Sequence, residues 1–195
     1  MNLEPLNPLK YLEYIILSFA LALPVLLTLR DCADKVRLRL SRGLLVSLLL
    51  AVEQVLLILL GMCLGNLLRF DIPEYDTPVF LGLFIVVAIR MTITAFRKPK
   101  KADAPVFDIS RWPTVLLMGI ATGTNALFVG LGLGFRASLA QDLWAVGIPL
   151  LVAVFLFAYL GIMLGRQHKA LRPRRWLLIA VLFLLVYAIK CTIDA

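Results

Sequence analysis

The stretch Ile120–Phe135, IATGTNALFVGLGLGF, is apolar enough to sit in a bilayer, yet it carries Thr122, Thr124 and Asn125 together. Gly123, Gly130, Gly132 and Gly134 run through the same stretch, and Gly119 immediately precedes it. Spanning a membrane does not require so many glycines, because leucine would serve. Small residues let other backbones approach closely, and polar side chains in hydrocarbon are costly unless they face protein or a cavity. The pattern predicts a helix that lines an intramembrane site.

The remainder of the chain agrees with that setting. Its 195 residues are 62% hydrophobic, with a mean hydropathy of +0.95, which belongs to an integral membrane protein. A net charge of +8 would suit nucleic acid, but the charges lie in short connections between apolar runs, as membrane topology requires. Cys32, Cys63 and Cys191 form no CxxC, and the single histidine, His168, sits among Arg166, Lys169 and Arg172. No Cys/His metal site follows from this inventory. The N-terminal MNLEPLNPLKYLEY lacks the basic region and cleavage site of a secretory signal, so the first apolar stretch is expected to remain as a helix.

A span needs about 20 apolar residues. Six stretches qualify: Tyr11–Leu29, Gly43–Leu68, Pro78–Phe96, Trp112–Phe135, Leu143–Gly165 and Arg175–Ile193, the last weakened by Lys190. The runs are continuous and do not alternate with period two, which argues against strands. The connections 1–2, 3–4 and 5–6 each carry five basic residues, fifteen of the chain's twenty. The other side holds Lys10, Arg69, Arg136 and Lys190 with the acidic Asp71, Glu74 and Asp76, while Arg90 lies inside helix 3. Basic connections stay in the cytoplasm, so both termini are predicted outside an inner (cytoplasmic) membrane.

The chain also repeats itself. LGMCLG at Leu60–Gly65 matches LGIMLG at Leu160–Gly165, and AIRMTI at Ala88–Ile93 matches AIKCTI at Ala188–Ile193, both at an offset of one hundred residues. A single membrane domain, 1–195, built from three-helix halves 1–100 and 101–195 is therefore expected. Three is odd, so the second half inserts inverted, an architecture that places a substrate site near the midplane. Gly61/Gly65 and Gly161/Gly165 are GxxxG pairs expected to bring helices 2 and 5 together, and Gly130 and Gly134 are further packing positions.

Of twelve acidic residues only Glu53 falls deep in a span. Arg90 lies at a depth that would allow an ion pair with it. Either the two neutralise one another, or Glu53 binds a cation or proton and Arg90 tunes it. Asn125, Thr122, Thr124 and Thr94 offer neutral oxygens. Pro24 removes the partner of the Ala20 carbonyl, which is then either free to line a cavity or simply left at a kink; a plain kink is the commoner outcome, for Pro149 in helix 5 as well.

These residues together resemble the bacterial manganese efflux pump family, six-helix proteins of two inverted halves. The resemblance covers nearly the whole chain and rests on Ile120–Ala126 with the following GLGLGF, on Ala51-Val-Glu53, on Arg90-Met91 followed by Phe96-Arg97, and on Leu160–Arg166. The family carries aspartates in helices 1 and 4 that are thought to handle the metal. Asn125 stands at the helix 4 position here, Pro24 at the helix 1 position and Thr94 at a further acidic position of helix 3, whereas Glu53 and Arg90 match. Manganese(II) is a hard ion suited to carboxylate, carbonyl and water.

The expected function is outward transport of a cation, with manganese(II) as the candidate cargo, by alternating access. Glu53, Asn125, Thr122, Thr124, Thr94 and the Ala20 carbonyl beside Pro24 would form the site, with Arg90 as charge partner. The same fold exporting a monovalent cation or amino acid, or a transport-inactive scaffold, are the alternatives. No cofactor, enzymatic motif or nucleic-acid partner is expected; the bilayer and the solute are the partners, and a homodimer is allowed.

Overall fold

The computed structural model describes residues 8–34, 36, 39–69, 76–96, 108–136, 139–167 and 173–193. Among them are six helices and no strand: α1 (Pro8–Ala33), α2 (Leu40–Arg69), α3 (Asp76–Phe96), α4 (Trp112–Arg136), α5 (Leu139–Arg166) and α6 (Pro173–Ile193). Each is long and apolar enough to cross a membrane. Leu56, Leu60, Ile89 and Leu182 face outward as openly as Leu50, Ile58 and Leu184 face inward, because lipid and core are both apolar solvents. Lys35, Arg37, Arg97, Lys98, Lys100, Lys101, Lys169, Arg172, Asp71, Glu74 and His168 lie outside the described residues.

The helices form a ring in the order α1, α5, α2, α4, α3, α6 and back to α1, with a light contact of α1 and α4 across its middle. All of these packed pairs join the first three helices to the last three. Chain neighbours usually pack together; here each half is completed by the other. Exchanging α1 with α4, α2 with α5 and α3 with α6 leaves the set of packed pairs unchanged.

The register of that exchange can be read from close approaches. A side chain at Gly61 would run into the Leu127 carbonyl and one at Gly65 into the Leu131 carbonyl; at Gly161 and Gly165 the obstacles are the carbonyls of Leu26 and Arg30. Residues 101 apart in α1 and α4 thus meet residues 100 apart in α2 and α5. Burial repeats in the same register: Val46, Leu50, Gln54, Ile58 and Met62 are buried in α2, as are Val146, Leu150, Val154, Ala158 and Ile162 in α5.

The glycine pairs therefore meet partners other than those expected. Gly61 and Gly65 pack on Gly130 and Gly134 of α4, while Gly161 and Gly165 pack on α1. Helices α2 and α5 are neighbours, but through larger side chains: Gly43 against Ile162 and Gly147 against Val55. Backbone proximity goes where both surfaces are small, and α4 with its glycines offers the flatter face.

Two unwelcome residues are accommodated locally. Lys190, which weakened the sixth span, forms a salt bridge with Glu13 of α1. Pro24 lies inside a continuous α1, and the Thr28 hydroxyl donates to its carbonyl at 2.9 Å.

Candidate functional site at the contact of α2 and α4

Glu53 stands thirteen residues from Leu40 and sixteen from Arg69, close to the middle of α2. Its carboxylate lies on Gly119, where any side chain would collide with it. Glycine at that position makes the room the carboxylate occupies. Glu53 Oε2 is buried and accepts no hydrogen bond. The neighbouring Gln54 is 1% exposed; its Nε2 donates to Thr122 Oγ1 at 3.2 Å, and Thr122 in turn donates to the Met118 carbonyl at 2.9 Å.

Gly119, Thr122 and Asn125 follow at intervals of three on α4. Each step turns about 60° short of a full revolution and climbs about 4.5 Å, so the three form a strip winding across the inner face of the helix. Asn125 Oδ1, at the upper end, is likewise buried without a hydrogen-bond partner. A third such atom, Asp76 Oδ1, belongs to the far end of the molecule, where the other oxygen of that carboxylate pairs with Arg69 at 2.9 Å.

Arg90 is not the partner of Glu53: no salt bridge joins them. Arg90 is exposed and its Nη2 reaches the Ala121 carbonyl at 3.5 Å. Glu53 lies over Gly119, and positions 119 and 121 point about 200° apart around a helix. The two charges thus approach α4 from opposite sides, so similar depth did not make them neighbours.

The other expected oxygens are dispersed. Thr124 turns away from the strip and donates to the Ile120 carbonyl at 2.9 Å, and Thr94 donates to the Arg90 carbonyl at 2.9 Å. Ala20 is fully buried, and it and Pro24 lie on α1, which meets α4 only lightly. Among the described residues no group of three His, Cys, Asp or Glu side chains comes together. A cation held mid-span would need amide, hydroxyl and carbonyl oxygens beside the Glu53 carboxylate.

Gln54 escaped the sequence reading because a lone amide next to a glutamate attracts no attention. Its spacing could have revealed it. Gln54, Ile58, Gly61, Met62 and Gly65 recur at helical intervals on one face of α2, so a polar residue there must point at whatever the glycines pack against.

Neither a curated protein nor a solved structure matches this chain. A family model does: the Mntp family, described as "Putative manganese efflux pump", matches residues 37–192 and so covers most of the six-helix ring and all of the strip. With its apolar helices, the chain is a multi-pass membrane protein, and it belongs to the manganese efflux pump family.

Proposed function

We propose that the chain exports a hard cation, manganese(II) first of all, by alternating access between inverted halves 1–100 and 101–195, with the basic connections on the cytoplasmic side of the inner membrane. The observation that carries this reading is the pair of buried, unpartnered oxygens, Glu53 Oε2 and Asn125 Oδ1, at either end of a strip centred on Thr122. An unmatched carboxylate oxygen in a span is costly. A cation coordinated there would recover that cost, and carboxylate, amide and hydroxyl oxygens are the donors manganese(II) takes. In this proposal Glu53 provides the charge and Thr122 the adjacent neutral oxygen, and Gln54 holds Thr122 in place. Asn125, about 9 Å along α4 from Gly119, offers an oxygen at a second stop on the path. The preserved packing set under exchange of the halves supports an inverted-repeat mechanism, in which the site lies at mid-depth and the halves rock around it.

A second reading follows from the sparse acids around Glu53. With no three-residue His/Cys/Asp/Glu cluster among the described residues, a monovalent cation or a small zwitterion such as an amino acid needs less charge than a divalent metal. Uptake into inside-out vesicles separates the two. Manganese flux in the parent that disappears in Glu53→Gln supports the metal. Flux only in Asn125→Asp, with the parent silent, assigns the parent to another cargo.

A further inference from the structure

We propose that the end of the ring opposite the basic connections is the outer gate of the transport path, closed here by an aromatic plug under the Arg136 guanidinium. The path itself rests on the transport reading above; the identity of the cargo does not enter.

Four helices, α1, α3, α4 and α6, enclose one half of the ring; Asn125 turns toward it, because Gly132, seven residues on and only about 20° away around the helix, meets Phe84 of α3. At this end all four helices are tied together. Arg136, the last residue of α4, donates to the Cys191 carbonyl of α6 and lies over the Phe80 ring of α3, 5.2 Å from its centroid. Lys190 of α6 pairs with Glu13 of α1. Beneath this cap, the Phe80 and Phe84 rings are 4.6 Å apart, and Phe84 stacks on Tyr187 of α6 at 5.6 Å. Phe84 presses so closely on α4 that a Cβ at Gly132 would be 3.1 Å from its ring. Gly132 is seven residues beyond Asn125, or about 10 Å along the helix. The plug therefore sits between the strip and the far surface.

The opposite end of the same half-ring is built differently. Exchange of the halves carries Phe80 to Ala180, Phe84 to Leu184 and Tyr187 to Val87, so no ring stands at any of the three counterpart positions. At the basic end Arg174 of α6 also lies over a ring of α3, Phe96, at 4.2 Å, but Phe96 is exposed, whereas Phe80 and Phe84 are fully buried; a buried ring stack is thus found between these helices at the far end. A hydrated cation cannot cross stacked rings, and α4 cannot part from α6 and α3 while Arg136 holds a carbonyl of one and covers a ring of the other. Arg136 is the latch, and the rings are the bolt it keeps in place.

The test reads accessibility, not flux. With Cys32, Cys63 and Cys191 changed to serine, Val129→Cys puts a smaller side chain at a fully buried position between Asn125 and the plug. A membrane-impermeant maleimide is applied to right-side-out and inside-out vesicles. From the far side, labelling should be slow in this parent and rise about tenfold in Arg136→Ala, the scale of one charge-assisted contact withdrawn from a closed–open equilibrium. Phe84→Leu, which copies the counterpart residue, should raise it in the same way, and Arg136→Lys should fall between. Arg42→Ala, at the basic end, should leave far-side labelling unchanged. No rise in either gate variant, or an equal rise in Arg42→Ala, overturns the gate. Manganese uptake measured on the same vesicles reports on the cargo separately, since a silent protein can still show gated labelling.

Discussion

The contact of α2 with α4 and the contact of α5 with α1 are two versions of one joint. Both are parallel helix pairs brought to backbone distance by a GxxxG pair, Gly61/Gly65 in the first and Gly161/Gly165 in the second. Their contents differ. Glu53, Gln54 and Thr122 occupy the first, with Asn125 further round α4, whereas the counterpart positions of the second hold Ala153, Val154, Leu21 and Pro24. The close approach is thus duplicated while the polar groups at these four positions are found in one copy. The same backbone contact is made in the second joint with apolar residues there, which argues that the close approach does not depend on the polar groups.

The largest expected effect tests the shared part of the comparison. Gly61→Leu and Gly161→Leu both force a side chain into a neighbouring carbonyl, and each should cost about 3 kcal/mol or more, beyond ordinary overpacking. Monodisperse yield and thermal unfolding in detergent would measure it. If one joint tolerates leucine and the other does not, the two are not versions of the same device.

Next comes the part in which they differ. Glu53→Gln keeps the shape of the side chain and should cut cation flux by at least about tenfold, a scale reached even by groups that only support a metal ligand, while leaving the melting temperature within a few degrees. Loss of flux together with loss of fold would mean that the carboxylate belongs to the scaffold after all.

A smaller effect attaches to Gln54 and Thr122. Converting both to their counterparts, Gln54→Val and Thr122→Leu, should show a coupling energy of about 0.6 kcal/mol and no more than about 1.7, as membrane hydrogen bonds do. A double-mutant cycle on unfolding gives the number directly. Zero coupling would remove Gln54 as the group that positions Thr122.

The smallest effect lies outside the membrane. The Ser110 hydroxyl and amide both donate to Asp108 before α4, and Arg111 and Arg42 lie near, so the carboxyl is held below its ordinary value. A depressed folded-state value means that its contribution is present above the ordinary carboxylate range and is lost as pH falls below about 4. Hydrogen exchange at the first turn of α4 should quicken over that window and be indifferent to pH in Asp108→Asn.

Much of this was legible in the chain. Six apolar runs became six helices because hydrocarbon leaves the backbone no other partner than itself. The repeated hexapeptides announced the hundred-residue register that burial follows. The site was only partly readable. Glu53 could be placed at mid-span by counting, and so could Arg90, but counting gives depth along the membrane normal and says nothing of direction around a helix. That missing angle produced the ion pair that does not form and let Thr124 pass for a site oxygen. Gln54 was different: its helical spacing from Ile58 and Gly61 gave the direction, and only the plainness of a lone amide hid it.

The sequence by itself determined the solvent, the number of crossings and the end at which the basic connections lie, because each follows from local composition against a slab of fixed thickness. Only the tertiary structure decided which helices touch. Glycines grant close approach to any neighbour, and the choice between α4 and α5 for Gly61 was settled by the competing shapes of two distant surfaces. It also decided that Phe80 and Phe84, one turn apart on α3, meet Tyr187 of α6 beneath Arg136 of α4, since the three helices come together only when the two halves close on one another.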